Sequence, residues 1–127
     1  MGIQSYRDLL VWQRAMDLVT AVYRASKSWP REEAFGLTGQ IRRSAVSIPS
    51  NIAEGRGRSS SSEFRNHLSI AHGSLLELET QLLIARNLEY LSPTQADELL
   101  TAAAGVGRLL NGLRKSLPDH RLSHPDP

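Results

Sequence analysis

The sequence predicts an all-α protein, an antiparallel bundle of four helices in up-down-up-down order. Three observations carry that prediction. Apolar residues return at alternating intervals of three and four in four separate segments, each the mark of one buried helical stripe. Two serine-led start signals, "SSSSEF" and "SPTQ", divide the second half of the chain into two helices. No segment alternates polar and apolar residues as a half-buried strand would, and short links between four stripes make a bundle the economical packing.

The first helix is expected over residues 5–27, with Leu9, Trp12, Met16, Val19 and Tyr23 on its inner stripe and Leu10, Leu18 and Val22 widening it. Trp12, Met16 and Tyr23 at this spacing read as core rather than as a ligand box. Pro30 ends that element, and Glu32 and Glu33 suit the first turn of the next. The second helix, 32–54, carries Leu37, Ile41, Ala45, Ile48 and Ile52 on one face. Pro49 removes a backbone bond and crowds the carbonyl of Ala45, so a bend is expected there, with Ser47 and Ser50 placed to satisfy the freed groups. Gly55 offers a left-handed stop, and Arg56 and Arg58 suit the negative helix end.

The third helix, 61–91, opens on Ser60 as N-cap with Glu63 completing a capping box. Its stripe is Phe64, Leu68, Ala71, Leu75, Leu78, Leu82 and Ala85, and a second row, Leu76, Leu83 and Tyr90, repeats every seven residues on the flank. One seam does not need both rows, so oligomerisation through the second is expected. The fourth helix, 93–116, is announced by Ser92, Pro93 and Gln95 and keeps Ala96, Leu99, Ala103, Val106, Leu110, Leu113 and Leu117 in strict register. Gly105, Gly107 and Gly112 each cost about 1 kcal/mol of helix against alanine. Close approach of another helix is the reason expected, with a local kink as the alternative. A bundle domain over 1–117 thus precedes a proline-rich tail, 118–127, read as flexible.

Composition narrows the chemistry. The 127 residues hold no cysteine, which excludes disulfides, thiolate metal sites and cysteine nucleophiles, and fits a cytoplasmic protein. No apolar run is long enough for a membrane span, and the first residues do not read as a signal peptide. The net charge of +2 rests on arginine, since Lys27 and Lys115 are the only lysines. Arg42 and Arg43 in the second helix, Arg56 and Arg58 in the turn, and Arg65 in the third helix are candidate nucleic-acid contacts if they gather at one bundle end. Helix-end or subunit ion pairing is the competing reading, with Glu54 and Glu63 among them. Gln40, Asn51 and Glu54 are candidates for a buried polar network that fixes helix register.

No phosphate-loop pattern surrounds "EGRGR", and the glycines there read as turn residues. Glu77 and Glu79 are two apart and project from different sides of their helix. His67 and His72 are five apart, His120 and His124 lie in the tail, and no ExxH pair suggests a di-iron bundle. The expectation is no catalytic residue, no metal, no cofactor, no small-molecule substrate and no membrane partner.

The stretches "LLVWQRAMDLV", "FGLTGQIRRSAVSIPSNIAEGRGR", "FRNHLSIAHGSLLELETQLLIARNLEYL" and "RLLNGLRKSL" together resemble one bacterial family over residues 9–117. It is the four-helix bundle protein family, also called the 23S rRNA intervening-sequence or S23 family, and "AVSIPSNIAEG" is its most specific segment. The resemblance implies a left-handed bundle assembling as a ring-shaped homopentamer with a central channel. It implies a genomic association with sequences interrupting 23S rRNA genes, and it supplies no catalytic residues. A related branch of similar pentamers serves diversity-generating retroelements, binding nucleic acid and a reverse transcriptase. Ser44, where many relatives have alanine, and His72, where a charged residue is common, are the departures, and the tail inherits nothing. The function expected is a non-enzymatic oligomeric scaffold or interaction module, with an RNA- or DNA-binding pentamer acting through the arginines as the alternative.

Overall fold

The computed structural model describes residues 5–118, and among them all regular structure is helical. Four α-helices, α1 (Leu10–Ser26), α2 (Leu37–Arg56), α3 (Ser61–Asn87) and α4 (Pro93–Ser116), share one apolar core. Each packs on two others: α1 on α2 and α4, α3 on α2 and α4, with α1 and α3 lying diagonally. The tail expected over 118–127 lies, beyond Pro118, outside the described residues. No helix among the described residues is long and apolar enough to cross a membrane.

The expected first helix divides. Ser5 Oγ accepts the Arg7 N–H and starts a separate 3-10 turn, Tyr6–Asp8, and Leu9 is extended before α1 begins. Gln13 Nε2 then donates to the Arg7 carbonyl at 2.8 Å, holding the turn against α1. The core face of α1 is Val11, Ala15, Leu18 and Val22. The bulkier stripe expected to be core is turned toward the α1–α2 boundary: Trp12 and Val19 are half-buried, and Met16 and Tyr23 are exposed. The larger side chains sit where a margin gives them room, while the small ones let α1 approach its neighbours.

A 3-10 turn, Arg31–Glu33, stands where the second helix was expected to start, and α2 proper begins after Gly36. Glu33 Oε1 accepts the Leu37 N–H at 3.1 Å and so caps one of the unpaired amides of α2. Ile41, Ala45, Ile48 and Ile52 are fully buried as expected, and Pro49 lies inside α2 without ending it.

In α3 the whole expected stripe from Phe64 to Ala85 is buried. Ser60 Oγ accepts the Glu63 N–H, giving one half of the anticipated box. The helix stops at Asn87, four residues before the expected end at 91. There Glu89 takes φ 64, Glu89 N–H donates to Arg86 O, and Tyr90 N–H donates to Ala85 O, the Schellman pattern of a helix stop. Tyr90 is therefore not on the α3 flank with Leu76 and Leu83. It leaves the helix and stacks on buried Trp29, ring centroids 5.6 Å apart. α4 opens on a complete capping box, Ser92 with Gln95, and buries Ala96, Leu99, Ala103, Val106 and Leu110. Gly107 meets α3 closely, since an added Cβ would lie 3.1 Å from Leu75 Cδ2. A Cβ at Gly112 would meet no atom of the described residues within 4 Å, so close approach does not account for it there.

Candidate functional site

The segment "SIPSNIAEG" forms the seam between α2 and α3. Ser47, Asn51 and Gly55 recur every four residues and so share one side of α2. Ser47 and Ser74 share a hydrogen bond at 2.8 Å, and Asn51 Nδ2 donates to Ser47 O at 2.9 Å and to Ser47 Oγ at 3.1 Å. Asn51 Oδ1 accepts from His67 Nδ1–H at 3.2 Å, which fixes the tautomer of that ring. At Gly55 the helices nearly touch: an added Cβ would lie 2.6 Å from His67 Cβ and 3.0 Å from Phe64 Cδ1.

Gly55 is thus not the left-handed stop expected of it. No glycine among the described residues has positive φ, and α2 continues to Arg56 before Gly57 caps it. Close approach, not turn geometry, demands the glycine. The expected network of Gln40, Asn51 and Glu54 is likewise rearranged. Only Asn51 enters the seam; Glu54 is exposed and accepts from Arg58 at 2.9 Å, and Gln40 is exposed one side of it. Ser47 bonds across to α3 rather than to the backbone that Pro49 frees. Ser74 and His67 are the α3 partners of this row, and the sequence did not disclose them. The one available signal was the four-residue return of small or polar side chains in α2.

The five arginines do not gather at one place. Arg42 lies on α1: its Nε donates to Ser26 Oγ at 2.9 Å, and its guanidinium sits 4.6 Å from the Tyr23 ring centre. Arg56 is fourteen residues further along the same helix, about 20 Å at 1.5 Å per residue. At that other end Arg58 pairs with Glu54, and Arg65 donates to the carbonyls of Leu117 and Pro118, at 2.8 and 2.6 Å, closing the end of α4. Arg43 is exposed on α2.

Large apolar side chains are exposed on three of the helices. They are Leu10, Met16 and Tyr23 on α1, Val46 on α2, Ile70, Leu76, Leu83 and Ile84 on α3, and Leu88 just past its end. Leu76 is 51% and Leu83 38% exposed, whereas Phe35, between the 3-10 turn and α2, is 98% exposed. Tyr90 is instead tied within the chain, its hydroxyl donating to Glu33 Oε2 at 2.9 Å. The Leu37 amide first, and the Tyr90 hydroxyl second, hold the Glu33 carboxyl below its ordinary 4.5. The same bond to Glu33, helped by burial and nearby carboxylates, holds the Tyr90 phenol above its ordinary 10.0.

Among the described residues no group of three or more histidine, aspartate or glutamate side chains is placed to hold a metal ion. What the fold defines is a small all-α chain of four helices, with a half-buried polar seam between α2 and α3 and large apolar side chains exposed outside. The chain belongs to the 23S rRNA-intervening sequence protein family, whose model matches residues 7–112. It is similar to a crystal structure of a protein with unknown function from the S23 ribosomal protein family of Bacteroides thetaiotaomicron. The two share 26% identity at a TM-score of 0.78, over 84% of this chain and 96% of that one. No curated protein is significantly similar.

Proposed function

We propose that the protein is a non-enzymatic, cytoplasmic homo-oligomeric scaffold built from an up-down-up-down, left-handed four-helix bundle. The observation that carries this reading is the apolar surface, above all Phe35 at 98% exposed with Leu76 and Leu83. An aromatic side chain in water forgoes the burial of about 150–250 Å² that a partner surface would give it. Large exposed apolar patches mark association sites. Apolar side chains are exposed on α1 and α2 as well as on α3, which suits a head-to-tail contact between unlike surfaces, and such contacts close into a ring when the rotation between copies divides a full turn. Five copies is the number that the family resemblance implies.

Light scattering tests the reading directly: a mass near five times the 14.1 kDa chain is expected, and the mass of one chain overturns it. Phe35→Ser combined with Leu76→Asp and Leu83→Asp is expected to lower the mass while leaving helicity intact. The alternative, an RNA- or DNA-binding pentamer, draws on Arg43, Arg56 and Arg58, the three candidates not bound to a neighbouring helix. It expects binding that weakens steeply with salt, and a shallower salt slope in the Arg56→Gln, Arg58→Gln variant. Absence of a gel shift with structured RNA or duplex DNA at low salt removes it.

A further inference from the structure

Beside the Ser47–Ser74 bond, toward the N-terminal half of α2, the two helices part into a groove of about 450 Å³. Its floor is polar: Ser44, Ser74 and Gln81 line it and are each more than nine-tenths buried. Gln81 Oε1 is shielded from water and accepts no hydrogen bond within the subunit. A buried carbonyl left without a donor is destabilising, so a group arriving from outside has something to satisfy. The walls carry opposite charges, Arg43 from α2 and Glu77 from α3, both exposed. They do not neutralise each other: the ion pairs among the described residues are Arg14–Asp17 and Arg58–Glu54.

We infer that this groove binds a free α-amino acid. Its carboxylate meets the Arg43 guanidinium, whose planar fork suits a carboxylate. Its ammonium, a donor of three hydrogen bonds, meets Glu77, and the Gln81 amide turns about its last side-chain torsion to bring Oε1 out to the same ammonium. A simple anion entering the groove faces Glu77, and a simple cation faces Arg43, so a molecule carrying both charges at short separation fits where either alone does not. All the site's residues come from one chain, and because Ile70 and Ile84 stand seven residues either side of Glu77 on the same face of α3, the oligomer mass of each variant is measured beside its affinity.

Calorimetric titration of the full chain against a panel of free α-amino acids, with acetate and methylamine as one-ended probes, tests the inference. Saturable binding of at least one amino acid, one per chain, is expected, with neither one-ended probe binding. Arg43→Gln and Glu77→Gln, both at exposed positions, are each expected to weaken it by about tenfold or more. Gln81→Leu is expected to abolish binding and yet raise the thermal midpoint of the free protein, because it removes the orphaned oxygen. A purely structural glutamine gives the opposite stability change. The inference falls if no amino acid binds, if acetate or methylamine binds as well as the best of them, or if Arg43→Gln and Glu77→Gln leave the affinity unchanged. It falls too if those variants change the oligomer mass instead, which makes the groove a contact between copies.

Discussion

Gly55→Ala is the sharpest perturbation available to the α2–α3 seam. In a helix the exchange by itself is favourable by about 1 kcal/mol, and no positive φ stands against it. The opposing effect is steric. The new methyl carbon would lie 2.6 Å from His67 Cβ and 3.0 Å from Phe64 Cδ1. Carbon atoms rest about 3.5–4.0 Å apart, so the gap must open by roughly 1 Å. The Phe64 ring can rotate away, but His67 Cβ is fixed to the α3 backbone, and relief there means moving a helix. Overpacking of this kind costs about 1–3 kcal/mol, and the upper part of that range applies when backbone must shift. The net expectation is a loss of about 1–2 kcal/mol, read from urea unfolding at fixed chain concentration. Gly112→Ala is the control, since its methyl meets no heavy atom within 4 Å. It should gain about 1 kcal/mol. His67→Ala should not rescue Gly55→Ala, because the colliding atom remains. A Gly55→Ala protein as stable as the parent would refute the close-approach account of this residue.

Other changes test the remaining joints. Glu89→Gly should stabilise by about 1 kcal/mol, because Glu89 alone among the described non-glycine residues holds positive φ, and calorimetric unfolding measures it. Ser60→Ala and Ser92→Ala should each cost about 1 kcal/mol, since each removes the hydroxyl oxygen that accepts an amide of the first turn, while the Ser92 amide keeps its bond to Gln95; a thermal melt of each measures them. Glu33, held below 4.5, contributes stability that is whole above that pH and fades as the pH falls through its lowered value. Tyr90, held above 10.0, contributes stability that is whole below that pH and fades as the pH rises through its raised value. Tyr90→Phe should therefore flatten the alkaline limb of a stability profile and only shrink the acid limb, where the Leu37 amide still acts.

Periodicity located all four helices, and it named the core face correctly in three. In α1 it was right about Leu18 and Val22, expected to widen the stripe, and misjudged which row lies deepest for a physical reason. Val11, Ala15, Leu18 and Val22 repeat at helical spacing as well as Trp12, Met16, Val19 and Tyr23 do, and bulk was a poor guide between them. Spacing defines stripes; which stripe is buried depends on how closely the neighbour approaches, and small residues admit the closer approach. The end of α3 was hidden for a different reason. Leu88, Tyr90 and Leu91 continue an apolar pattern, and the left-handed stop falls on a glutamate rather than on the glycine that usually announces one. The exposed Phe35 carried no sequence signal, because a lone phenylalanine beside a glycine reads as core or surface alike.

The seam was illegible because its meaning lies in residues far along the chain. Ser47 answers to Ser74 and Asn51 to His67, positions separated by 27 and 16 residues. Within α2 alone, those polar side chains look like interruptions of an apolar face. Between two helices they select one register. Sliding α2 by one turn, about 5.4 Å, would still bury Ile48 and Ile52 against leucines on α3. It would, however, break the two bonds that cross the seam, Ser47 with Ser74 and Asn51 with His67, at about 0.5–1.5 kcal/mol each, while the Asn51–Ser47 bonds inside α2 persist. It would also carry a side chain into the place that only Gly55 fits. Apolar burial therefore makes α2 and α3 adhere, and the short polar row with its glycine decides where along each other they stop.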